Sequence, residues 1–378
     1  MSKILARSPY WINATATDLI YAIFELWIFE GASNFSRPTD PSYTIKSSVT
    51  DSPDNVYLDI SDLVKGFIDV NYGGNNYDNG LVWVQYRITT ATQSAVSTGN
   101  IQGVNYAVNG YSYYTEGYNA TSLSGCLLSS DIIYKLEDND VSIPVDLILL
   151  ESVSFFNGSE LVHSYAPTST PVNNDGIINY IGLDNYDNFQ QRIYSQGGTF
   201  ETNECIDSFL DEYEIYPITK VVVSSLDSSV PLRTIVVENI EECKYTPYKI
   251  IFRNKLGAKE ELWFFKSSRL SMEVQREKYQ GNTIKDYRTG DLSRHRNVDF
   301  YTASKETLTI NSGFVPEEFN EVFKQLMLSE QVWIEYKQQI LPINVSNQTI
   351  DYKTKLNNKL INYTIDVEFS FNTTNNVR

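Results

Sequence analysis

Runs of alternating aromatic and β-branched residues constrain this chain more than any other feature. LVWVQYRIT (81–89) places Val82, Val84 and Tyr86 on one face and Leu81, Trp83 and Gln85 on the other. Near the end, Ile361, Tyr363, Ile365, Val367 and Phe369 alternate with Asn362, Thr364, Asp366 and Glu368. A period of two is the signature of a strand with one face turned to a core. LIYAIFELWIFE (19–30) interrupts its apolar run only at Glu25 and Glu30, which predicts a strand buried on both faces or bent between two sheets. With 27 Tyr and 18 Phe against 3 Met, the apolar content favours pleated, half-buried surfaces. The fold class expected is mainly β: tandem antiparallel β-sandwich domains, then a C-terminal antiparallel sheet with one packed α-helix.

A length of 378 residues suits two to three domains, each with its own core. The first is expected over 1–120, a sandwich with a short helix (59–70) in which Ile60, Leu63, Val64 and Phe67 recur at helical spacing after Asp59 or Ser61 as cap. The second is a β domain over 121–235, where Asn157-Gly158 marks a tight turn. Further strands are expected at Gly176–Gly182, Gln191–Tyr194 and Ile218–Val223, with a helical turn over Asn203–Tyr213. The third, 236–378, carries a hairpin with its tip at Asn254–Ala258, where Gly257 is free to take positive φ. LTINSG (308–313) reads as a strand and Pro316-Glu317-Glu318 as a helix start, the helix reaching 330. VWIEY, ILPINVSN, QTIDYKT and INYTIDVEFSF follow as strands of a meander.

Charge is unevenly spread. The net value is −17, of which residues 1–243 contribute −21, residues 244–305 contribute +7 and the remainder −3. An acidic chain is a poor general nucleic-acid binder, and no nucleic-acid partner is expected. A basic stretch in an acidic chain suits docking of one surface against another, and equally a solvated strand pair with ordinary Lys/Arg decoration. The opening residues lack the apolar core of a signal peptide, and no apolar run approaches the ~20 residues needed to span a bilayer, so neither export nor a membrane partner is expected. Cys126, Cys205 and Cys243 are odd in number and lack metal spacing, which fits free thiols made in a reducing cytoplasm.

Residues that carry chemistry are sparse. His163 and His295 have no partner at metal-ligand spacing, and neither is accompanied by a Gly-x-Ser-x-Gly elbow. No phosphate-binding glycine loop occurs. Glu137-Asp138-Asn139-Asp140 and the group Asp175, Asp184 and Asp187 offer oxygen ligands for calcium without the twelve-residue loop pattern, so acidic turns are the simpler reading. Tyr111, Tyr113, Tyr114 and Tyr118 are candidates for stacking on sugars, with core or hairpin packing as the simpler role. No cofactor, metal or catalytic residue is expected.

At the level of whole segments the chain resembles a family of virion proteins of tailed phages of Bacteroidetes hosts, the crAss-like phages among them. ARSPYWI with ELWIFEG, Asp59–Asp69 with LVWVQYRI, CKYTPYKIIFRNKLGAKEELWFFK (243–266) and INSGFVPEEFNEVFKQLMLSEQVWIEY with DYKTKLNNKLINYTIDVEF carry the likeness. In the third of these, Asn254, Gly257, Trp263 and Phe264 stand in matching places. Residues 120–235 match poorly. The resemblance implies a non-enzymatic tail-hub or ring/adaptor component, assembled in the host cytoplasm, whose partners are other tail, ring or fibre proteins and copies of itself. A receptor- or glycan-binding fibre module and a polysaccharide-degrading tail enzyme are the alternatives. Charge, length and the loss of apolar pattern after Val274 further predict that 266–300 is an extended basic arm or hairpin reaching a partner. Its assembly interface is expected to include Lys266, Arg269, Arg276, Lys278, Lys285, Arg288, Arg294 and Arg296.

Overall fold

The computed structural model describes residues 3–30, 37–49, 54–68, 81–136, 141–166, 178–183, 218–286, 289–290, 293–347, 349 and 360–372. The fold is mainly β, with several sheets and a helix near the C-terminus. Two compact units form, Met1–Glu241 with Phe252–Glu261, and Glu242–Ile251 with Leu262–Arg378.

In the first unit the leading strands are β1 (Lys3–Leu5), β2 (Trp11–Thr15), β3 (Leu19–Phe29), β4 (Tyr43–Ser48), β5 (Asn55–Asp59), β6 (Leu81–Thr92), β7 (Val96–Thr98) and β8 (Gln102–Val108). They form a sheet of order β1-β8-β6-β3-β4, with β7 also on β6, and a separate β2–β5 ribbon. The even-numbered face of β3 (Ala22, Phe24, Leu26, Ile28) and Val82 and Val84 of β6 meet Ile12 and Ala14 of the ribbon in one core. Ile60 and Val64, in and beside α1 (Ser61–Lys65), close it. This helix is shorter than its apolar spacing predicts: it gives way at Gly66, a residue type that weakens a helix by about 1 kcal/mol relative to alanine. Neither expected cap residue takes the cap position, which falls to Ile60 without a side-chain bond; Asp59 Oδ1 instead accepts from the Ser61 amide at 3.0 Å and the Ser61 hydroxyl at 2.7 Å.

The next strands are β9 (Ile132–Leu136), β10 (Ser142–Asp146), β11 (Leu150–Asn157), β12 (Glu160–Tyr165), β13 (Ile178–Gly182), β14 (Lys220–Ser225) and β15 (Arg233–Ile240). Again a larger sheet, β12-β11-β14-β15-β9, is faced by a two-stranded ribbon, β10–β13. Val153, Phe155, Val221 and Val223 pack against Ile143, Val145 and Ile181 between them. The β11–β12 turn uses Gly158 at φ 59°, as Asn-Gly predicts. Among the described residues of this unit two pairings depart from the antiparallel rule: β1 runs parallel to β8 and β9 parallel to β15, both at sheet edges.

Position 120 falls inside this first unit. The reason is the second apolar face of β3 and β6, where Trp27, Phe29 and Trp83 pack with Leu127, Ile178, Tyr180 and Ala258 in a buried cluster. Burial of each such side chain contributes roughly 1.5–3 kcal/mol, enough to make the two sheets one body. Beside it, buried Asp146 accepts from Tyr106 OH at 2.7 Å and Lys3 Nζ at 3.4 Å.

The remaining strands are β16 (Tyr248–Arg253), β17 (Lys259–Phe264), β18 (Arg269–Gln280), β19 (Ile284–Asp286), β20 (Thr289–Gly290), β21 (Asn297–Pro316), β22 (Val332–Tyr336), β23 (Gln339–Val345) and β24 (Leu360–Phe369). Seven of them form a sheet of order β17-β16-β22-β23-β24-β21-β18. In the second unit, α2 (Phe319–Leu328) buries Phe319, Val322, Phe323 and Leu326. The Phe323 ring meets Tyr363 at 4.3 Å and Phe264 at 6.0 Å between centroids. Pro316 does not open this helix; it ends β21, paired with Leu360. A bulge at Asn311–Phe314, with Gly313 at φ 73°, lets the strand continue past the expected stop at 313. The expected QTIDYKT strand, Gln191–Tyr194 and Asn203–Tyr213 lie outside the described residues.

Candidate assembly interface

The segment 266–300 folds as strand, short ribbon and returning strand. β18 and β21 pair through twelve register positions, from Arg269↔Thr309 to Gln280↔Asn297. β24 supports β21 on its other side only from Thr307 onward. Met272–Gln280 and Asn297–Glu306 are therefore a ribbon of two strands alone among the described residues. At ~3.3 Å per residue its nine-residue strand reaches about 30 Å. All twelve residues of β18 are exposed. A strand with neither a third strand nor a core face gains little from its own burial, which is why no apolar alternation marks its outer half.

The expected interface residues divide. Arg269 and Arg276 lie on β18, exposed, opposite Thr309 and Thr302. Lys278 faces Asp299 across the ladder at 3.8 Å. Arg294 and Arg296 are exposed just before β21. Lys285 falls on β19, and Arg288 lies outside the described residues. Lys266 is not part of the ribbon: its Nζ holds Glu242 at 2.7 Å, and this bond, with the Lys244 amide, keeps the Glu242 carboxyl below the usual glutamate range.

Charge alone misses a second component. Leu270, Met272 and Val274 share one face of β18 and are 48%, 58% and 37% exposed, and Tyr279 and Phe300 stand exposed at 6.2 Å between rings. The alternation R-L-S-M-E-V carries that signal in the sequence. Exposed apolar side chains with basic residues around them make this patch the candidate contact surface.

The first unit carries another exposed group. Trp11 and Tyr118 stand edge to face at 6.2 Å, with Tyr57 diagonally across the β2–β5 ladder from Trp11. Asn119, at φ 54°, clamps the backbone of Trp11: Oδ1 accepts from its N–H at 2.6 Å and Nδ2 donates to its carbonyl at 2.9 Å. Of the four tyrosines expected to stack, Tyr114 and Tyr118 are exposed, whereas Tyr111 is buried and Tyr113 packs against it at 5.8 Å.

Among the described residues, His163, Cys126 and Glu260 sit in packed surroundings, whereas His295 and Cys243 are exposed. His163 is half-buried, stacked on Phe155 at 6.5 Å, and its burial lowers its pKa. His295 is exposed beside Arg294 and Arg296. Burial pushes the Cys126 thiol up, although Arg233 at 3.7 Å pulls it down, so the sulfur stays protonated within the core. Glu260 is fully buried and accepts from the Ser129 amide and hydroxyl and from Asn254 Nδ2. Among the described residues no group of three His, Cys, Asp or Glu is placed to hold a metal ion. Glu137–Asp140, Asp175, Asp184, Asp187 and Cys205 lie outside those residues. No helix among them is long and apolar enough to cross a membrane. Comparison with protein-family models finds no match, and comparison with curated proteins finds none either.

Proposed function

We propose that this protein is a non-enzymatic structural component of a tailed-phage virion, a tail-hub or ring/adaptor protein that contacts copies of itself and neighbouring tail or fibre proteins. The observation that carries the reading is the unsupported β18–β21 ribbon. A two-stranded ribbon standing off its sheet is marginal in water by itself and gains its stability from a partner surface. Its exposed apolar side chains and basic rim match the needs of such a contact, and the likeness of four sequence segments to crAss-like virion proteins supplies the setting. The test is incorporation. Mass spectrometry of purified particles should find the chain in a fixed copy number, a multiple of three or six. A chain in which 275–303 is replaced by a short turn should fold and yet be missing from particles. Normal incorporation of that chain would end the proposal.

A second reading, a glycan-binding module, has the Trp11–Tyr118 corner in its favour. Rings held open to solvent by a backbone clamp offer flat apolar faces two residues along the strand from Asn13, the kind of pairing that sugars require. Titration of the purified chain with host capsular polysaccharide decides it: this reading needs binding that Trp11→Ala abolishes, and shortening of the polysaccharide would instead indicate an enzyme.

A further inference from the structure

We infer that the edge of β18 pairs, antiparallel, with β18 of a second copy of this chain about a twofold axis at Ser271. The inference rests on the proposed role of the β18–β21 element as a contact surface, and it names the partner.

Among the described residues β18 is the last strand of the seven-stranded sheet, so the backbone edge it turns away from β21 has no ladder partner. Proteins blunt long open edges with bulges, prolines or inward charges. β18 carries a bulge only at Glu277/Lys278 and no proline, so Arg269–Glu273 presents a regular edge. An open, regular edge with exposed apolar side chains is a template for another strand.

The sequence of β18 matches itself in one register. With Ser271 opposite its own copy, Arg269 stands directly opposite Glu273 of the second molecule, and Glu273 opposite Arg269. On the other face Leu270 stands opposite Met272, and Met272 opposite Leu270. Opposite charges and apolar pairs in direct cross-strand register stabilise a ladder, whereas like charges destabilise it. Glu273 already faces Lys305 on β21, so charges alternate along the row across the axis. Leu308, buried beside Leu270, extends the apolar row on the opposite face. Other face-preserving registers do worse. Moving the axis to Met272 removes both Arg–Glu pairs, and moving it to Glu273 sets two carboxylates against each other. The one like-charged approach in the chosen register, Arg276 with Lys266, falls outside the five-residue ladder, where Lys266 is already held by Glu242. The symmetry is isologous: one patch serves both molecules and the contact closes on itself.

The experiment uses the full chain with Cys205→Ser and Cys243→Ser. Ser271→Cys in that background should give a disulfide-linked dimer on mild oxidation, because the two sulfurs meet on the axis. Glu273→Cys should give none, because the two copies of position 273 lie four residues apart along the ladder. Sedimentation of the otherwise native chain should show a dimer. Arg269→Glu alone and Glu273→Arg alone should each weaken it by about tenfold, and the double exchange should restore it. A monomer at every concentration with no Ser271→Cys cross-link overturns the pairing, and so does a dimer that the double exchange fails to rescue. If the pairing fails while loss of 275–303 still removes the chain from particles, the assembly role stands with a different partner. If the dimer forms but loss of 275–303 leaves incorporation intact, the pairing stands and the assembly role falls.

Discussion

Lys3 and Asp146 are both buried, 143 residues apart in sequence, with Tyr106 on the same carboxylate oxygen. Burial pushes the Lys3 ammonium below the usual lysine range, and Asp146 pulls it back. Removing one partner of such a pair leaves a buried charge uncompensated, so Lys3→Met should cost about 3–5 kcal/mol in urea denaturation, part of it recovered by adding Asp146→Asn. Glu260 makes a pH prediction. Burial raises its carboxyl above the ordinary glutamate value of 4.5, against the hydrogen bonds from Ser129 and Asn254 that favour the charged form. The folded chain then holds this proton to higher pH than the unfolded chain does. Stability falls as pH rises from 4.5 until the folded carboxyl also ionises. Glu260→Gln does not titrate and should flatten that limb of the stability–pH curve measured by denaturant midpoints; an unchanged slope would refute the assignment. Neither group was legible in the sequence. Lys3 reads as an ordinary polar residue near a chain end, and Glu260 as one of two adjacent acids, because burial of a charge depends on partners more than 100 residues away.

At the scale of elements, Phe323 is the most deeply buried of the side chains that hold α2. Phe323 lies between Tyr363 and Phe264, so Phe323→Ala should cost about 3–5 kcal/mol in chemical denaturation, with a cavity left under the helix. Gly257, at φ 83° in the β16–β17 turn, has no room for a side chain: an added Cβ would stand 2.9 Å from Val108 Cβ. Gly257→Ala should destabilise by more than about 1 kcal/mol, read from the same transition. The turn was legible because Gly257 lies between two apolar runs at the right interval for a hairpin tip. β3 was legible because both its faces are apolar, and each meets a different core; β6 reads as a strand with one face to a core, and its other face meets a second core through Trp83. The start of α2 was misread because Pro-Glu-Glu is a good helix opening in isolation, while pairing of Pro316 with Leu360 holds that proline in the sheet. Parallel pairing of β1 and β9 had no local signal, since strand direction is set by distant partners.

For the whole molecule, the basic stretch and the acidic remainder were visible as charge, and the ribbon's length and exposure follow from the same residues. What charge did not reveal is that Lys266 is spent on Glu242 and that Leu270, Met272 and Val274 lie open beside the arginines. Because the ribbon beyond Val274 shields no core, replacing 275–303 by a short turn should move the calorimetric midpoint by no more than a few degrees, about 1 kcal/mol of stability. A large drop would mean that the ribbon supports the sheet from which it springs. The parallel edge strands carry a consequence for biosynthesis. β1 is translated about a hundred residues before its neighbour β8, and β9 as long before β15. During that interval both nascent sheets have sticky, half-made borders, the condition under which growing polypeptides clump.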